Sequence, residues 1–204
     1  MEQIEQEAGE LRLERQLAFV MEIDKLKSIL RRTYITDKSR RENSGEHSWH
    51  FALMALVLAE YANEPDIDVL HAVKMALVHD IVEIDAGDTF LYDTAGASDK
   101  AEREQAAALR IFGMLPDDQR DELMALWREF EERRTPEARY AAAVDRLQPM
   151  MHNYYTGGAA WREHGIRSAQ VLELNSRIAE GSERLWAYAR RIIQDSVDKG
   201  YLER

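Results

Sequence analysis

The sequence contains no cysteine. That absence excludes a disulfide-stabilised scaffold and thiolate chemistry, and it leaves imidazole and carboxylate groups as the strong metal ligands of the chain. Long apolar runs are also absent, since the longest one, residues 51–59, is far shorter than a membrane-spanning helix requires. The acidic N-terminal segment has no signal-peptide core. These features predict a cytoplasmic protein with no membrane partner.

Positive charge is scarce as well. The chain has 27 lysine and arginine residues against 38 aspartate and glutamate residues, a formal net charge of −11. A field of that sign repels long polyanions, so we expect no binding to long nucleic acids. Residues 31–41 are an exception, because they carry five basic side chains against the single acid Asp37. This cluster is either a solvated charged loop or a site for one phosphate group of a small ligand.

The spacing of apolar residues predicts helices nearly throughout, with no alternating strand pattern and no internal repeat. A first helix is predicted to end near Leu30, and a polar loop to follow it as far as Gly45. Asn43 and Glu46 form a capping-box pattern before the run FALMALVLA, which is apolar on every side and is expected to be buried. Residues 85–98 have no helical period, which predicts a long functional loop. A chain of 204 residues suits a single all-α domain.

The dipeptide His79-Asp80 lies at the end of an apolar segment, with Glu83 one helical turn further on. Burying an ionised carboxylate there is costly unless a partner or a metal compensates its charge. Taken alone, a His-Asp pair is more often a pair of ordinary polar residues at a helix end. However, His47 lies in the first turn of the most apolar predicted helix, and Asp145 interrupts another apolar helix. Two imidazoles and two carboxylates from three helices predict a site for a divalent ion.

The order of these residues resembles a known signature. His47, then His79-Asp80, then Asp145 is similar to the H…HD…D pattern of the HD-domain phosphohydrolase superfamily. Residues 41–48 (RENSGEHS) and 79–88 (HDIVEIDAGD) are similar to its 5′-deoxynucleotidase branch.

The resemblance implies an architecture. It covers about residues 17–155, and it implies an orthogonal helical bundle around one metal site, commonly in a homodimer. On this basis we expect residues 1–204 to form a single HD domain. Its metal-binding core would lie at about 17–155, with a C-terminal helical extension at 156–204.

The resemblance also implies roles for individual residues. Glu83 takes the position of an acid that orients or deprotonates the attacking water, and Asp88 that of a second acid near the leaving oxygen. The implied metal ligands are His47, His79, Asp80 and Asp145.

Phosphate and sugar contacts are implied for the basic segment. Arg32 lies fifteen residues before His47, where the branch can place a phosphate-binding arginine, and Arg31 is the alternative. Thr33 stands where the branch often carries a tryptophan next to the sugar. Tyr34 can supply the aromatic ring through a one-residue shift. The sugar contact and the choice between the two arginines therefore stay open.

The implied reaction is hydrolysis of a phosphate monoester, with a deoxynucleoside 5′-monophosphate as the substrate and a divalent metal ion as the cofactor. Mixed nitrogen and oxygen ligation does not distinguish Mn, Co, Fe, Zn, Ni and Mg. A phosphodiesterase or a nucleoside triphosphohydrolase would use the same ligands. A nucleotide-binding module without turnover is the alternative outside the enzymes, but such a module has no need of Glu83 and Asp88.

Two further histidines are ambiguous in the sequence. His50 follows His47 by three residues, and a residue so placed is more often a core or supporting histidine than a ligand. His152 lies about two turns beyond Asp145, where it faces either a pocket wall or the core. Residues 156–166 are either a lid with glycine hinges or a plain connection between helices.

Overall fold

The computed structural model describes residues 2–93, 96 and 98–204. Met1 and residues 94, 95 and 97 lie outside it, and with them part of the predicted 85–98 loop. Helices dominate the described residues, which confirms the all-α class, and none of these helices is both long and apolar enough to cross a bilayer. The helices are α1 (Glu2–Ile23), α2 (Ser44–Val57), α3 (Val69–Val78), α4 (Glu83–Ala86), α5 (Lys100–Phe112), α6 (Asp117–Glu132), α7 (Pro136–Tyr155), α8 (Ala159–Glu163), α9 (Ser168–Asn175), α10 (Ile178–Gly181) and α11 (Glu183–Asp198).

Helix α7 runs through the centre of the molecule, and α2, α3, α10 and α11 pack around it. Most of its apolar residues are buried, among them Tyr140 and Leu147. The Tyr140 hydroxyl donates a hydrogen bond to the carbonyl oxygen of Ala55 on α2 at 2.8 Å, so the buried polar tip of the ring is satisfied. Because α7 is central and α2 packs against it, His47 on α2 and Asp145 on α7 lie inside the bundle.

The predicted burial of α2 on every side is wrong. Phe51 and Ala55 are fully buried, whereas Trp49 and Val57 are 62% and 69% exposed. The apolar run is wider than the face that α3 and α7 cover, and the remaining apolar side chains reach solvent. The predicted capping box is confirmed, since the Asn43 side chain accepts from the backbone of Glu46 and the Glu46 side chain accepts from the backbone of Asn43.

A short hairpin replaces the predicted polar loop. β1 (Leu30–Tyr34) pairs antiparallel with β2 (Arg41–Asn43), and the first helix ends at Ile23 instead of continuing to Leu30. A 3₁₀ helix, Asp24–Ser28, joins α1 to the hairpin. The hairpin carries the basic segment across the end of α2 and next to α7.

The chain after α3 tightens into a 3₁₀ helix, His79–Val82, before α4 begins. Gly87 ends α4 with a φ of 74°, a conformation that is readily available only to glycine. The chain therefore turns sharply and brings the next residue, Asp88, back toward the end of α3.

Candidate metal centre and catalytic cleft

The four predicted metal ligands converge at the centre of the bundle. His47 lies in the first turn of α2, His79 and Asp80 in the 3₁₀ helix after α3, and Asp145 in the middle of α7. Potential ligand atoms of His47, His79 and Asp80 all lie within 4.8 Å of one another. Asp145 Oδ1 lies 2.9 Å from His47 Nε2 and 3.7 Å from His79 Nε2. The structure therefore brings all four side chains into one cluster.

The orientation of His79 fits a metal ligand. Its Nδ1 lies 2.9 Å from the Ala76 carbonyl oxygen, which can only accept, so the proton belongs on Nδ1 and the lone pair on Nε2. That buried Nε2 makes no hydrogen bond within the described part of the chain, although Asp80 Oδ1 lies 3.0 Å away. A buried imidazole lone pair beside carboxylates is satisfied when a divalent cation binds. The donor set therefore fits the metal that the signature implies.

The pKa values of the cluster show how much positive charge it requires. Burial opposes ionisation of Asp80, but His79 and Arg31 outweigh it and lower the Asp80 pKa to about 2. Burial likewise opposes ionisation of Asp145, yet hydrogen bonds with the two histidines hold its pKa well below the usual range. Burial also opposes the charged form of His79, whereas Asp80 and Asp145 raise its pKa to about 10. A bound divalent ion would supply the positive charge that these protons otherwise provide.

Glu83 lies at the start of α4, one turn beyond His79, and is buried. Ser44, the first residue of α2, donates its hydroxyl to Glu83 Oε2 at 2.6 Å. Burial raises the pKa of Glu83 to about 8, and the negative charge of Asp80 adds to that shift. A carboxyl group that titrates near neutrality and is held in one orientation is suited to proton exchange with water.

Arg31 is the cation of the cluster. Its Nη1 donates to Asp80 Oδ2 at 2.7 Å and lies 3.9 Å from both Glu83 Oε1 and Asp88 Oδ1. Burial opposes the charge on Arg31, but these carboxylates outweigh it and raise its pKa. Arg32, the next residue of β1, is exposed and lines the same cleft, but it makes no ion pair with the carboxylates within the described part of the chain. Of the two candidate arginines, Arg31 is therefore the one that reaches the carboxylates.

Asp88 faces Arg31 from the loop that follows α4. Burial raises its pKa despite the opposing charge of Arg31. Arg103 of α5 holds this loop in place. Its guanidinium group donates to the carbonyl oxygen of Ala86, to Thr89 Oγ1 at 3.3 Å and to the carbonyl oxygen of Gly96 at 3.0 Å.

The structure does not bring Tyr34 to the carboxylate cluster. Its hydroxyl donates to Glu163 on α8 at 3.0 Å, and Arg41 donates to the same carboxylate at 2.6 Å. The Arg41 guanidinium group lies 4.9 Å from the centre of the Tyr34 ring. Thr33 is buried on the inner face of β1, and its hydroxyl donates to Glu42 at 3.4 Å. The contacts of Tyr34 and Arg41 with Glu163 fasten the hairpin to α8, whereas the Thr33 contact joins the two strands.

The cluster opens into a cleft lined by aromatic, amide and basic side chains. One wall of the cleft is formed by α7 and α8, which contribute Asn153 and Trp161 respectively. The aromatic and amide residues of the lining are Phe90, Tyr92, Trp161, Asn153 and Asn175. Its basic residues beyond the hairpin are Lys100, Arg133 and Arg146.

Sequence reasoning missed most of the cleft lining, and it missed Glu42, which lies beside the cluster. Lys100 and Glu104 face the cleft from α5 with 3.4 Å between Nζ and Oε1. Their spacing of four residues is typical of an exposed helical ion pair, so it gave no sign of a cleft position. Glu42 is 2% exposed and lies 3.6 Å from His47, and its only signal was its place within residues 41–48.

The chain matches one family model and is similar to several named proteins. The family model described as the HD domain matches residues 23–186. The human protein named 5′-deoxynucleotidase HDDC2 is 30% identical over 136 residues, which cover 66% of this chain and 65% of that protein. The Xenopus laevis protein of the same name is 27% identical over 186 residues, which cover 81% of this chain and 90% of that protein.

Solved structures agree with this assignment. A predicted metal-dependent phosphohydrolase from Magnetospirillum magnetotacticum MS-1 is 55% identical with a TM-score of 0.92, and the match covers 96% of this chain and 98% of that chain. A conserved hypothetical protein from Pyrococcus furiosus is 24% identical and shares the fold with a TM-score of 0.64, over 89% of this chain and 99% of that chain. Because the family model spans most of the sequence and the signature residues meet in space, this protein belongs to the HD domain family.

Proposed function

We propose that this protein hydrolyses the phosphate monoester of deoxynucleoside 5′-monophosphates, with a divalent ion bound at the two-histidine, two-aspartate cluster. The observation that carries the proposal is that two further acids and one arginine reach the same cluster, namely Glu83, Asp88 and Arg31. A metal-binding cluster alone would serve a binding module equally well, whereas these three groups suit water activation, leaving-group protonation and phosphate binding. The similarity to proteins named 5′-deoxynucleotidase supports the substrate class.

Each of these side chains has one task in the proposed reaction. When bound, the metal ion would lower the pKa of a coordinated water and polarise a phosphoryl oxygen. Glu83, oriented by Ser44, accepts the proton of the attacking water. Arg31 binds the phosphate oxygens and stabilises the charge that develops on them. Asp88 protonates the leaving sugar oxygen, and the burial that raises its pKa favours the protonated form that this task requires.

The nucleoside binds along the part of the cleft wall that is formed by the partly buried rings of Phe90 and Tyr92. Aromatic rings give a nucleobase a surface for stacking that does not depend on the identity of the base. The sugar contact differs from that of a tryptophan-bearing site, because Thr33 is buried against Glu42 and Tyr34 faces Glu163. We therefore propose weak discrimination against a ribose 2′-hydroxyl.

A nucleoside triphosphohydrolase is the second candidate. Lys100, Arg133 and Arg146 line the same cleft, and additional basic groups favour a longer phosphate chain. Since Lys100 lies 3.4 Å from Glu104, part of this positive charge is already compensated. That compensation makes the monophosphate the better-supported substrate.

A substrate panel tests the proposal. Metal-depleted protein is reloaded with Mn, Co, Fe, Zn, Ni or Mg. Release of phosphate, pyrophosphate and triphosphate is measured from dAMP, AMP, dADP and dATP. Conversion of cyclic AMP to AMP is followed separately, because opening of the cyclic ester releases no phosphate. We expect phosphate from dAMP and AMP at comparable rates. An Asp80→Asn variant purified in parallel controls for contaminating phosphatases. Triphosphate release from dATP without hydrolysis of any monophosphate would favour the second candidate.

We also propose a homodimer that is formed through the exposed apolar face of α2. Trp49, Leu53, Leu56 and Val57 recur at helical spacing on this face and are 42–69% exposed. Trp49→Glu should convert a dimer into a monomer in light scattering, whereas Leu109→Glu, on the exposed side of α5, should not. A monomeric wild-type protein at micromolar concentration would exclude this interface.

The cytoplasmic location stays a prediction.

A further inference from the structure

Glu42 is an ionisable side chain in the interior for which the proposed reaction has no use. It lies in β2 and is 2% exposed. Gln148 Nε2 donates to its Oε1 at 2.8 Å, and Thr33 Oγ1 donates to its Oε2 at 3.4 Å. An ionised carboxylate in such a place costs much free energy unless several donors surround it. Four groups do so, because two imidazole rings face it as well.

The two imidazole nitrogens that face Glu42 belong to His47 and His152. Each Nδ1 lies 3.6 Å from Glu42 Oε2. Both nitrogens are buried, and neither has a hydrogen-bond partner within the described part of the chain. A small rotation of the carboxylate would complete a hydrogen bond with one of them. Glu42 is therefore the acceptor available to the inner nitrogen of His47.

The opposite nitrogen of His47 faces the metal cluster. Its Nε2 lies 2.9 Å from Asp145 Oδ1 and 3.9 Å from Asp80 Oδ2. A metal-binding imidazole must keep its proton on one nitrogen and its lone pair on the other, and the group bonded to the first nitrogen decides which is which. In His79 that group is the backbone carbonyl of Ala76. In His47 the corresponding position holds a carboxylate.

We propose that Glu42 is a positioning residue of the metal centre, which holds the proton of His47 on Nδ1 and so directs Nε2 toward the metal. The inference rests on the proposed metal centre but not on any substrate. Through Thr33 and Gln148, the same carboxylate joins the hairpin that carries Arg31 to the helix that carries Asp145.

The first experiment compares zinc affinities. Metal-depleted wild-type protein, Glu42→Gln and Glu104→Gln are titrated with Zn²⁺ in competition with a fluorescent chelator. Glu42→Gln preserves side-chain size but places an amide NH₂ among groups that are themselves donors, so we expect zinc affinity to fall by about 10- to 100-fold. Glu104→Gln removes another buried carboxylate of the cleft that touches no histidine ligand, and it should change the affinity much less. If zinc affinity fell equally in both variants, Glu42 would act only through its negative charge, and the proposal would be overturned.

The second experiment needs no variant. The chain has six histidines, so ¹⁵N-histidine labelling of the zinc-loaded wild-type protein gives a spectrum simple enough to assign. We expect His47 to carry its proton on Nδ1 and zinc on Nε2. Zinc on Nδ1 would overturn the proposal whatever the variants do, and it would do so without reference to phosphatase activity.

Zinc stoichiometry supplies a third outcome. Potential ligand atoms of Glu42, His50 and His152 also lie within 4.8 Å of one another, and the rings of the two histidines are stacked 5.6 Å apart. We expect one zinc per chain in the wild type and in His152→Gln. Two equivalents that fall to one in His152→Gln would make Glu42 a metal ligand in its own right and would contradict the positioning role.

Discussion

At the scale of single residues, the candidate site holds four carboxylates, three of which surround one guanidinium group. Asp80, Glu83 and Asp88 lie within 4 Å of Arg31, while Asp145 is held by the histidines. Arg31 thus neutralises charge that a bound divalent ion would neutralise more completely. If a bound metal ion took Asp80 as a ligand, Arg31 would lose this ion pair and become available to a phosphate group.

Arg31→Ala should lower kcat/KM by about ten- to a hundredfold, because a charge-assisted contact contributes roughly 1.5–3 kcal/mol. Arg32→Ala is the matched control, since Arg32 is exposed at the edge of the cleft and should have a smaller effect. Steady-state phosphate release from dAMP measures both. Metal affinity should not fall in Arg31→Ala, because the variant removes a competitor for Asp80. A larger defect in Arg32→Ala would exchange the roles of the two arginines.

Glu83→Gln should retain its metal and its fold but lose turnover by about 10²- to 10⁴-fold, the range typical of a lost proton acceptor. Ser44→Ala should lower turnover less, because it leaves the Glu83 carboxylate in place and removes only the 2.6 Å hydrogen bond that orients it. Metal content and kcat are measured on the same preparations. Loss of the metal from Glu83→Gln would instead identify Glu83 as a ligand.

At the scale of secondary-structure elements, sequence patterns predicted the features that repeat at helical spacing or follow a fixed capping pattern. Apolar spacing predicted an all-α fold, and the Asn43–Glu46 cap predicted where α2 begins; the structure confirms both. The order of His47, His79-Asp80 and Asp145 resembles the signature of the HD domain family, and the match of the family model to residues 23–186 confirms that resemblance. Such patterns succeed because helix caps and core faces impose residue types at fixed separations.

The hairpin and the contacts it makes were not predictable in this way. β1 has five residues and β2 three, and their charged residues face the cleft as well as solvent, so no apolar alternation marks them. The burial of Arg31 in the cluster and the exposure of Arg32 follow from the alternation of side chains along a strand, which the sequence did not reveal. Glu42 was missed for the same reason, since its partners Gln148 and His152 are more than a hundred residues away along the chain.

The loop after α4 depends on one residue of another element. Arg103 on α5 contacts Ala86, Thr89 and Gly96, and these contacts fix the segment that carries Asp88. Arg103→Ala should therefore lower kcat while metal affinity stays close to that of the wild type, because the ligands lie on other elements. Arg128→Ala, on α6, is a control for loss of an arginine elsewhere. An unchanged kcat in Arg103→Ala would show that the loop holds its position without this contact.

At the scale of the whole molecule, the site lies where the long central helix meets the ends of two shorter ones, inside a chain of net charge −11. The C-terminal helices are packed closely against this centre. Gly181 at the end of α10 has no room for a side chain, because an added Cβ would lie 2.1 Å from the carbonyl oxygen of Arg139 on α7. We therefore expect residues 156–204 to unfold together with residues 17–155 as one cooperative unit. Clustered buried carboxylates, meanwhile, make the folded state dependent on positive charge at its centre.

Metal binding should therefore stabilise the entire fold. A ligand present at a hundred times its dissociation constant stabilises the native state by about 2.7 kcal/mol. In a chain of this size, that corresponds to a rise in Tm of roughly 5–11 °C. Differential scanning fluorimetry of metal-depleted protein with and without Mn²⁺ or Zn²⁺ measures the rise. A single unfolding transition is expected if residues 17–204 unfold as one cooperative unit.

Asp80→Asn should abolish the rise, because a neutral amide is a poor ligand for a divalent ion beside two imidazoles. Glu104→Gln, which changes a buried carboxylate outside the cluster, should retain it. A rise that persists undiminished in Asp80→Asn would place the stabilising ion somewhere other than between His47, His79 and Asp145.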